Sequence, residues 1–258
     1  MKIATWNVNS VRQRTEHLVR YLRETKPDIL CLQELKCVDE AFPYLEVEAE
    51  GYNAAVHGQK GFNGVAILAK APVEVAKGLP GDPGDEQARY IEAVIPNGDG
   101  IVRVASIYLP NGNPPQTEKY RYKLAFMDRL IAHAKTLLAL EEPLVLAGDY
   151  NVIPTPRDAA DPAAWEGDAL FLPQTRARFR RLLNLGLVDA LRATADEASL
   201  YTFWDYQAGA WQRNKGIRID HLLLSPRATD RLVEVVIDKE TRAEEKPSDH
   251  VPVRIELA

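Results

Sequence analysis

Polar residues stand at the ends of several apolar runs in this chain. Asn7 follows KIATW, Glu34 follows DILCLQ, and Asp149 and Asn151 follow PLVLAG. Late in the chain the order reverses: Asp220 precedes HLLLS, and Asp249-His250 precedes VPVRIEL. Each has a plainer use on its own. Asn7 could cap a helix, Glu34 could be a surface carboxylate, and Asp149 or Asp249-His250 could belong to polar turns. Gathered at one rim, however, the carboxylates Glu34, Asp149, Asp220 and Asp249 would repel one another strongly in a low dielectric. Such a cluster requires a cation. The donors are oxygens with one imidazole and no thiolate, which suits a hard ion such as Mg²⁺ or Mn²⁺ better than zinc. A magnesium ion that keeps some waters and meets substrate oxygens is the usual partner of phosphate chemistry. A Ser-His-Asp hydrolase would use Asp249-His250 with an exposed nucleophile, but the sequence has no G-x-S-x-G turn.

These residues meet only if the late strands run antiparallel to the early ones. The runs KIATWNV, DILCLQE, GVAILAK, YIEAVI, VRVASIYL, PLVLAGD, RIDHLLLS, RLVEVVID and VPVRIEL read as strands, several of them apolar on consecutive residues as expected when both faces are covered. Helical spacing connects Val11, Thr15, Leu18 and Leu22, with Pro27 as a stop, and again Leu124, Met127, Ile131, Ala134 and Leu138. A third helix is expected from Pro173, closed by Gly186. So many strands among few helices predict two packed sheets flanked by helices rather than a doubly wound parallel sheet. With no repeat, low-complexity tract or linker, residues 1–258 read as a single domain.

The composition, 46% hydrophobic and 27% charged over 258 residues, is that of a globular protein. No apolar run is long enough to span a bilayer, and MKIATWNVN lacks the features of a signal peptide, so a cytoplasmic protein with no membrane partner is expected. Cys31 and Cys37 match neither a disulfide framework nor a zinc pattern. The net charge of −5 argues against nucleic acid unless several carboxylates are offset by an ion.

The segments TWNVNSVR, LCLQELKC, KGFNGVAILAK, YLPNG, LAGDYNVIPT, LGLVDALR, YTFWDY, GIRIDHLLLS and EKPSDHVPV resemble, in order, the motifs of the exonuclease III family of apurinic/apyrimidinic endonucleases. This family lies within the endonuclease/exonuclease/phosphatase superfamily. The resemblance runs along essentially the whole chain. It implies a four-layer α/β-sandwich with two mixed sheets, and a Mg²⁺-dependent nuclease, with Mn²⁺ able to substitute, acting on duplex DNA at abasic sites and blocked 3′ ends. The protein would be a cytoplasmic, nucleoid-associated monomer. By resemblance, Glu34 is the principal metal ligand, and Asn7, Asp149 and Asp249 complete the metal set. Asp149, helped by Asn151, activates or orients the attacking water. His250, held by Asp249, binds the scissile phosphate, Tyr108 contacts the phosphoryl or leaving oxygen, and Asp220 joins the metal and histidine network. Asn9 stands where some members carry an aspartate.

The family pattern also matches Phe203, Trp204 and Ile217 to an apolar pocket for a flipped-out, base-free sugar. Arg12, Arg14, Lys36, Lys60, Arg89, Arg213, Lys215 and Arg218 are the basic residues expected to hold phosphates without reading sequence. Arg176, Arg178, Arg180 and Arg181 on the third helix are better read as a solvated face. Two other functions fit the same fold: a phosphoesterase acting on phosphoinositides or sphingolipids, and a DNA-binding relative without activity. LQELKC and the aromatic pocket disfavour the first, and the complete carboxylate set disfavours the second.

Overall fold

The computed structural model of the protein describes residues 1–98 and 100–258. In chain order the elements are β1 (Lys2–Asn7), α1 (Thr15–Thr25), β2 (Ile29–Gln33), α2 (Tyr44–Ala49), β3 (Asn53–His57), β4 (Val65–Ala69), β5 (Glu74–Lys77), β6 (Tyr90–Asn97), β7 (Gly100–Tyr108), α3 (Glu118–Leu138) and β8 (Leu144–Asp149). They continue with α4 (Pro173–Leu183), β9 (Val188–Asp189), α5 (Ala190–Thr194), β10 (Asp220–Leu224), α6 (Pro226–Thr229), β11 (Leu232–Ile237) and β12 (Val253–Leu257). Two six-stranded mixed sheets result, ordered β11-β12-β1-β2-β4-β3 and β5-β6-β7-β8-β10-β9.

Alternate residues of each strand face opposite sides, and here both sides are covered. Ile3, Ile29, Cys31 and Ile67 of the first sheet meet Ile91, Val104, Val145 and Leu222 of the second in a shared core. The opposite face of the first sheet, through Ala4, Trp6, Leu30 and Leu32, packs on Leu18 and Leu22 of α1. That of the second, through Ile107 and Leu146, packs on Phe126 and Leu130 of α3 and on Phe179 of α4. The four layers are those expected, and double coverage explains why β2, β4 and β8 are buried at every position.

Pairing directions place the polar strand ends together. β1 and β2 are parallel, as are β7 and β8, so Asn7, Glu34, Tyr108 and Asp149 all leave their sheets at C-terminal ends. β12 is antiparallel to β1, and β10 to β8, which brings the starts of the late strands to the same rim. In register, Asp149 lies opposite both Tyr108 and Asp220.

Several boundaries differ from expectation. Residues Val11–Gln13 form a separate 3₁₀ turn rather than the start of α1, because the Arg14 guanidinium turns inward to the carbonyls of Asn9 and Pro247. α4 ends at Leu183, before Gly186. β12 starts at Val253, since Pro252 has no N–H for the ladder. The strands β3, β5 and β9, all three at sheet edges and β9 only two residues long, carry too little apolar alternation to be read from sequence.

Gly148 immediately precedes Asp149. A Cβ built there would lie 2.0 Å from the Ile107 carbonyl oxygen in the paired strand β7. Backbone cannot yield as a flexible side chain would, and overpacking of this kind costs about 1–3 kcal/mol. Gly148→Ala should lower the urea midpoint of unfolding by an amount corresponding to about 2 kcal/mol or more. An unchanged midpoint would show that β7 and β8 are not paired this closely.

Candidate active site

One amide joins the two sheets at the rim. Asn7, the last residue of β1, donates through Nδ2 to Glu34 Oε1 and to Asp149 Oδ2, each at 2.9 Å. Its Oδ1 accepts from the Asn9 backbone N–H, so Asn7 bridges the two carboxylates. The chain turns sharply here: Asn9, Glu34, Lys36 and Asn151 have φ of 44°, 53°, 55° and 47°. Left-handed backbone is uncommon outside glycine and tends to gather at functional sites.

Lys36 Nζ lies 2.9 Å from Glu34 Oε2. Burial works against the Glu34 charge, but Lys36 and the Asn7 amide outweigh it and hold the carboxyl below its usual range. Asp149 is almost fully buried, with Oδ1 accepting from the Asn151 amide at 2.9 Å. Burial pushes its pKa up to about 7, opposed by His250 and reinforced by Asp220.

His250 is equally buried. Its Nδ1 lies 2.9 Å from Asp220 Oδ2, and its Nε2 lies 3.7 Å from Asp149 Oδ2. Burial alone would depress the imidazole, yet the two aspartates outweigh it and raise the pKa to about 10. Asp220, which also accepts from the Thr202 hydroxyl at 2.6 Å, is therefore the partner of His250. The expectation that Asp249 holds the histidine is corrected. Sequence neighbours in extended chain point to opposite sides, and Asp249 Oδ1 instead accepts from Asn9 Nδ2 at 3.0 Å.

Ligand atoms of Glu34, Asp149 and His250 lie within 4.8 Å of one another. Asp249, expected in the metal set, is not in this group but lines the same cavity. An imidazolium has no free lone pair for a metal, so Glu34 and Asp149 are the residues that could hold an ion, with His250 beside it as a donor. Two carboxylates of which one is pushed toward neutrality by burial fit a divalent cation, which reverses that local balance.

Above these groups is a cavity of about 210 Å³. Glu34, Tyr108, Asp149 and His250 line it, as do the apolar side chains of Trp165, Leu170, Phe203, Ile217 and Ile219. The Phe203 ring stands 5.0 Å from the His250 ring. Tyr108 faces this charge: burial first, then Glu34 and Asp149, raise its hydroxyl pKa well above the usual value. Trp204 is not part of the wall. It is fully buried with Tyr201 and Val251, its Nε1 bonded to Asn214. Alternation sends Phe203 to the cavity and its neighbour to the core. Trp165 supplies the large aromatic instead, and its only sequence signal was an indole within the small and polar stretch DPAAWEGD.

Residues 4–250 match the endonuclease/exonuclease/phosphatase family. The chain belongs to this family. It is 35% identical to exodeoxyribonuclease III of Haemophilus influenzae over 100% of both chains. Among solved structures it resembles a 3′ phosphatase from Neisseria bound to product DNA hairpin, with a TM-score of 0.96 and 39% identity over 100% of this chain and 99% of that one. It also resembles an AP endonuclease from Archaeoglobus fulgidus, with a TM-score of 0.93 and 38% identity over the same shares.

In this member of the endonuclease/exonuclease/phosphatase family the basic residues divide into two groups. Arg12, Lys60, Arg213 and Lys215 are exposed, and Arg89 is half-buried with its guanidinium 4.9 Å from the Tyr108 ring centre. Arg218, expected to meet phosphate, is instead fully buried and paired with Asp158 and Asp189, each at 2.8 Å. Arg14 is buried too, as described above. On α4, Arg178 and Arg181 pair with Asp128 of α3, Arg176 covers the Phe171 ring, and Arg180 is exposed.

The His250 geometry fixes a titration. With a folded pKa raised from 6.5 to about 10, the ion pair contributes fully below the unfolded value and is lost as pH rises through the folded one. Followed by ¹⁵N NMR of the imidazole nitrogens, Asp220→Asn should lower the His250 pKa, and Asp249→Asn should lower it less. A larger fall in Asp249→Asn would reverse the assignment of the partner.

Proposed function

We propose that this protein is a DNA-repair phosphoesterase that uses Mg²⁺, or Mn²⁺ in its place, to cut duplex DNA 5′ to abasic sites and to clear blocked 3′ ends. Residues 1–258 act as one catalytic unit and as a monomer, in the cytoplasm on nucleoid DNA. The observation that carries this reading is the small cavity with a carboxylate and histidine floor and an apolar wall. A cavity of about 210 Å³ with a wall of Trp165, Leu170, Phe203 and Ile217 suits the apolar face of a deoxyribose phosphate without its base. Among the described residues no helix is long and apolar enough to cross a membrane.

Glu34 and Asp149 would hold the ion, which would supply positive charge at the phosphoryl oxygens. Asp149, ionised beside the ion and made more basic by its burial, would take the proton of the attacking water. Asn151, its amide bound to Asp149 Oδ1, orients that water. The His250 imidazolium donates to a non-bridging oxygen, with Asp220 keeping it charged. Tyr108, with a hydroxyl that stays protonated, donates to the leaving oxygen. Phe203, Ile217 and Trp165 hold the sugar, and the exposed Arg12, Lys60, Arg213 and Lys215 attract phosphates along the duplex.

A second reading, hydrolysis of 3′-phosphates as the main activity, is favoured by the likeness to the Neisseria 3′ phosphatase. Both reactions attack a phosphate on the sugar side of the same cavity. They separate on two substrates, a duplex with a central abasic analogue and a nicked duplex ending in a 3′-phosphate. Both should be processed only with Mg²⁺ or Mn²⁺, and Glu34→Ala and Asp149→Asn should each cost about 10²-fold or more in rate. Processing of neither DNA, with phosphate released from inositol phosphates instead, would overturn the proposal.

A further inference from the structure

We infer that Lys123 is a positioning residue whose buried ammonium clamps the loops carrying Asn111 and Asn151 and so aims the Asn151 amide at the reacting groups. The inference rests on the function proposed above. Lys123 lies on α3 with no exposed surface. Its Nζ donates to the Asn151 carbonyl oxygen at 2.6 Å and to the Asn111 carbonyl oxygen at 3.0 Å. Among the described residues no backbone N–H reaches either oxygen, and no carboxylate lies within ion-pair distance of Lys123.

A fully buried lysine is rare, and an ammonium offset only by carbonyl dipoles is costly. Burial pushes its pKa down to about 7, against the pull of Asp149 and Asp168. An apolar side chain of similar length would fill the space at lower cost. What such a side chain could not do is satisfy two inward-facing carbonyls at once. The Asn151 carbonyl belongs to a residue with φ of 47°, which turns it away from its strand neighbours. With that carbonyl held, the Asn151 side chain is fixed at both ends: Nδ2 donates to the Leu109 carbonyl at 2.9 Å, and Oδ1 accepts from Asn111 Nδ2 at 3.2 Å. The remaining Nδ2 hydrogen is free to meet a bound oxygen. The lysine stem is fixed as well, since a Cβ at Gly112 would come within 2.6 Å of Lys123 Cδ.

The test compares Lys123→Met, Lys123→Gln, Asn151→Ala and the Lys123→Met/Asn151→Ala double variant on abasic and 3′-phosphate duplexes at saturating Mg²⁺. Lys123→Met should lower kcat about 10- to 10²-fold, the scale of a small misplacement in an active site, and change KM by less than about 3-fold. Lys123→Gln, which keeps N–H donors without the charge, should recover part of the loss. In the Asn151→Ala background, Lys123→Met should cost less than about 2-fold more, because the group it positions is gone. Independently of turnover, the Asn151 side-chain amide resonances should shift in Lys123→Met and Lys123→Gln. Additive losses, or an Asn151 amide unmoved in whichever variant folds, would overturn the inference. Inactivity of the parent on both duplexes would instead overturn the proposed function and leave the NMR comparison to decide the role of Lys123.

Discussion

Asp149 and Asp220 face one another on paired antiparallel strands, both buried, with the His250 imidazole between them. Two carboxylates this deep cannot both remain charged without compensation. The imidazole supplies one positive charge and is itself held protonated by the pair, so each group sets the state of the others. A single imidazolium cannot also offset Glu34, which leans on Lys36 and on the Asn7 amide. The rim is thus acidic by more than its own cations cover, and a divalent ion is the simplest completion.

This constraint explains much of the surrounding architecture. The parallel pairs β1–β2 and β7–β8 deliver C-terminal strand ends, while antiparallel β10 and β12 deliver starts, so groups distant in sequence converge at one rim. Gly148 lets β8 approach β7 closely enough to set Asp149 beside Tyr108. Beneath the cavity, Arg218 joins Asp158 of the loop after β8 to Asp189 of β9, and its backbone amide binds the Asp158 carbonyl. That buried network anchors the loop from which Trp165 and Leu170 reach the cavity. Removing one partner from such a network costs about 3–5 kcal/mol, so Arg218 serves the site by holding its wall.

The strand ends and their chemistry were legible because double coverage makes core strands continuously apolar, and each polar interruption is then conspicuous. Glu34, Asp149, Asn151, Asp220 and His250 were all visible in this way. Which carboxylate partners His250 was not, because adjacency in sequence says little about adjacency across a sheet. For the same reason Phe203 and Trp204, neighbours in sequence, divide between cavity and core. Trp165 and Leu170 were missed because they lie on an irregular loop with no periodicity, and their side-chain directions are set by tertiary contacts. Arg218 looked like a phosphate contact because sequence records its charge and omits Asp158 and Asp189 beside it. Lys123, read only as part of a helix, carried no sequence sign that its charge is buried.

The central claim, that the rim carboxylates form one divalent-cation site, is tested most directly by titrating the protein with Mn²⁺ and following free Mn²⁺ by electron paramagnetic resonance. The account predicts one ion per chain, displaced by excess Mg²⁺ and weakened about 10-fold or more in Glu34→Gln and Asp149→Asn. Binding undiminished in both variants, or absent from the parent, would contradict it.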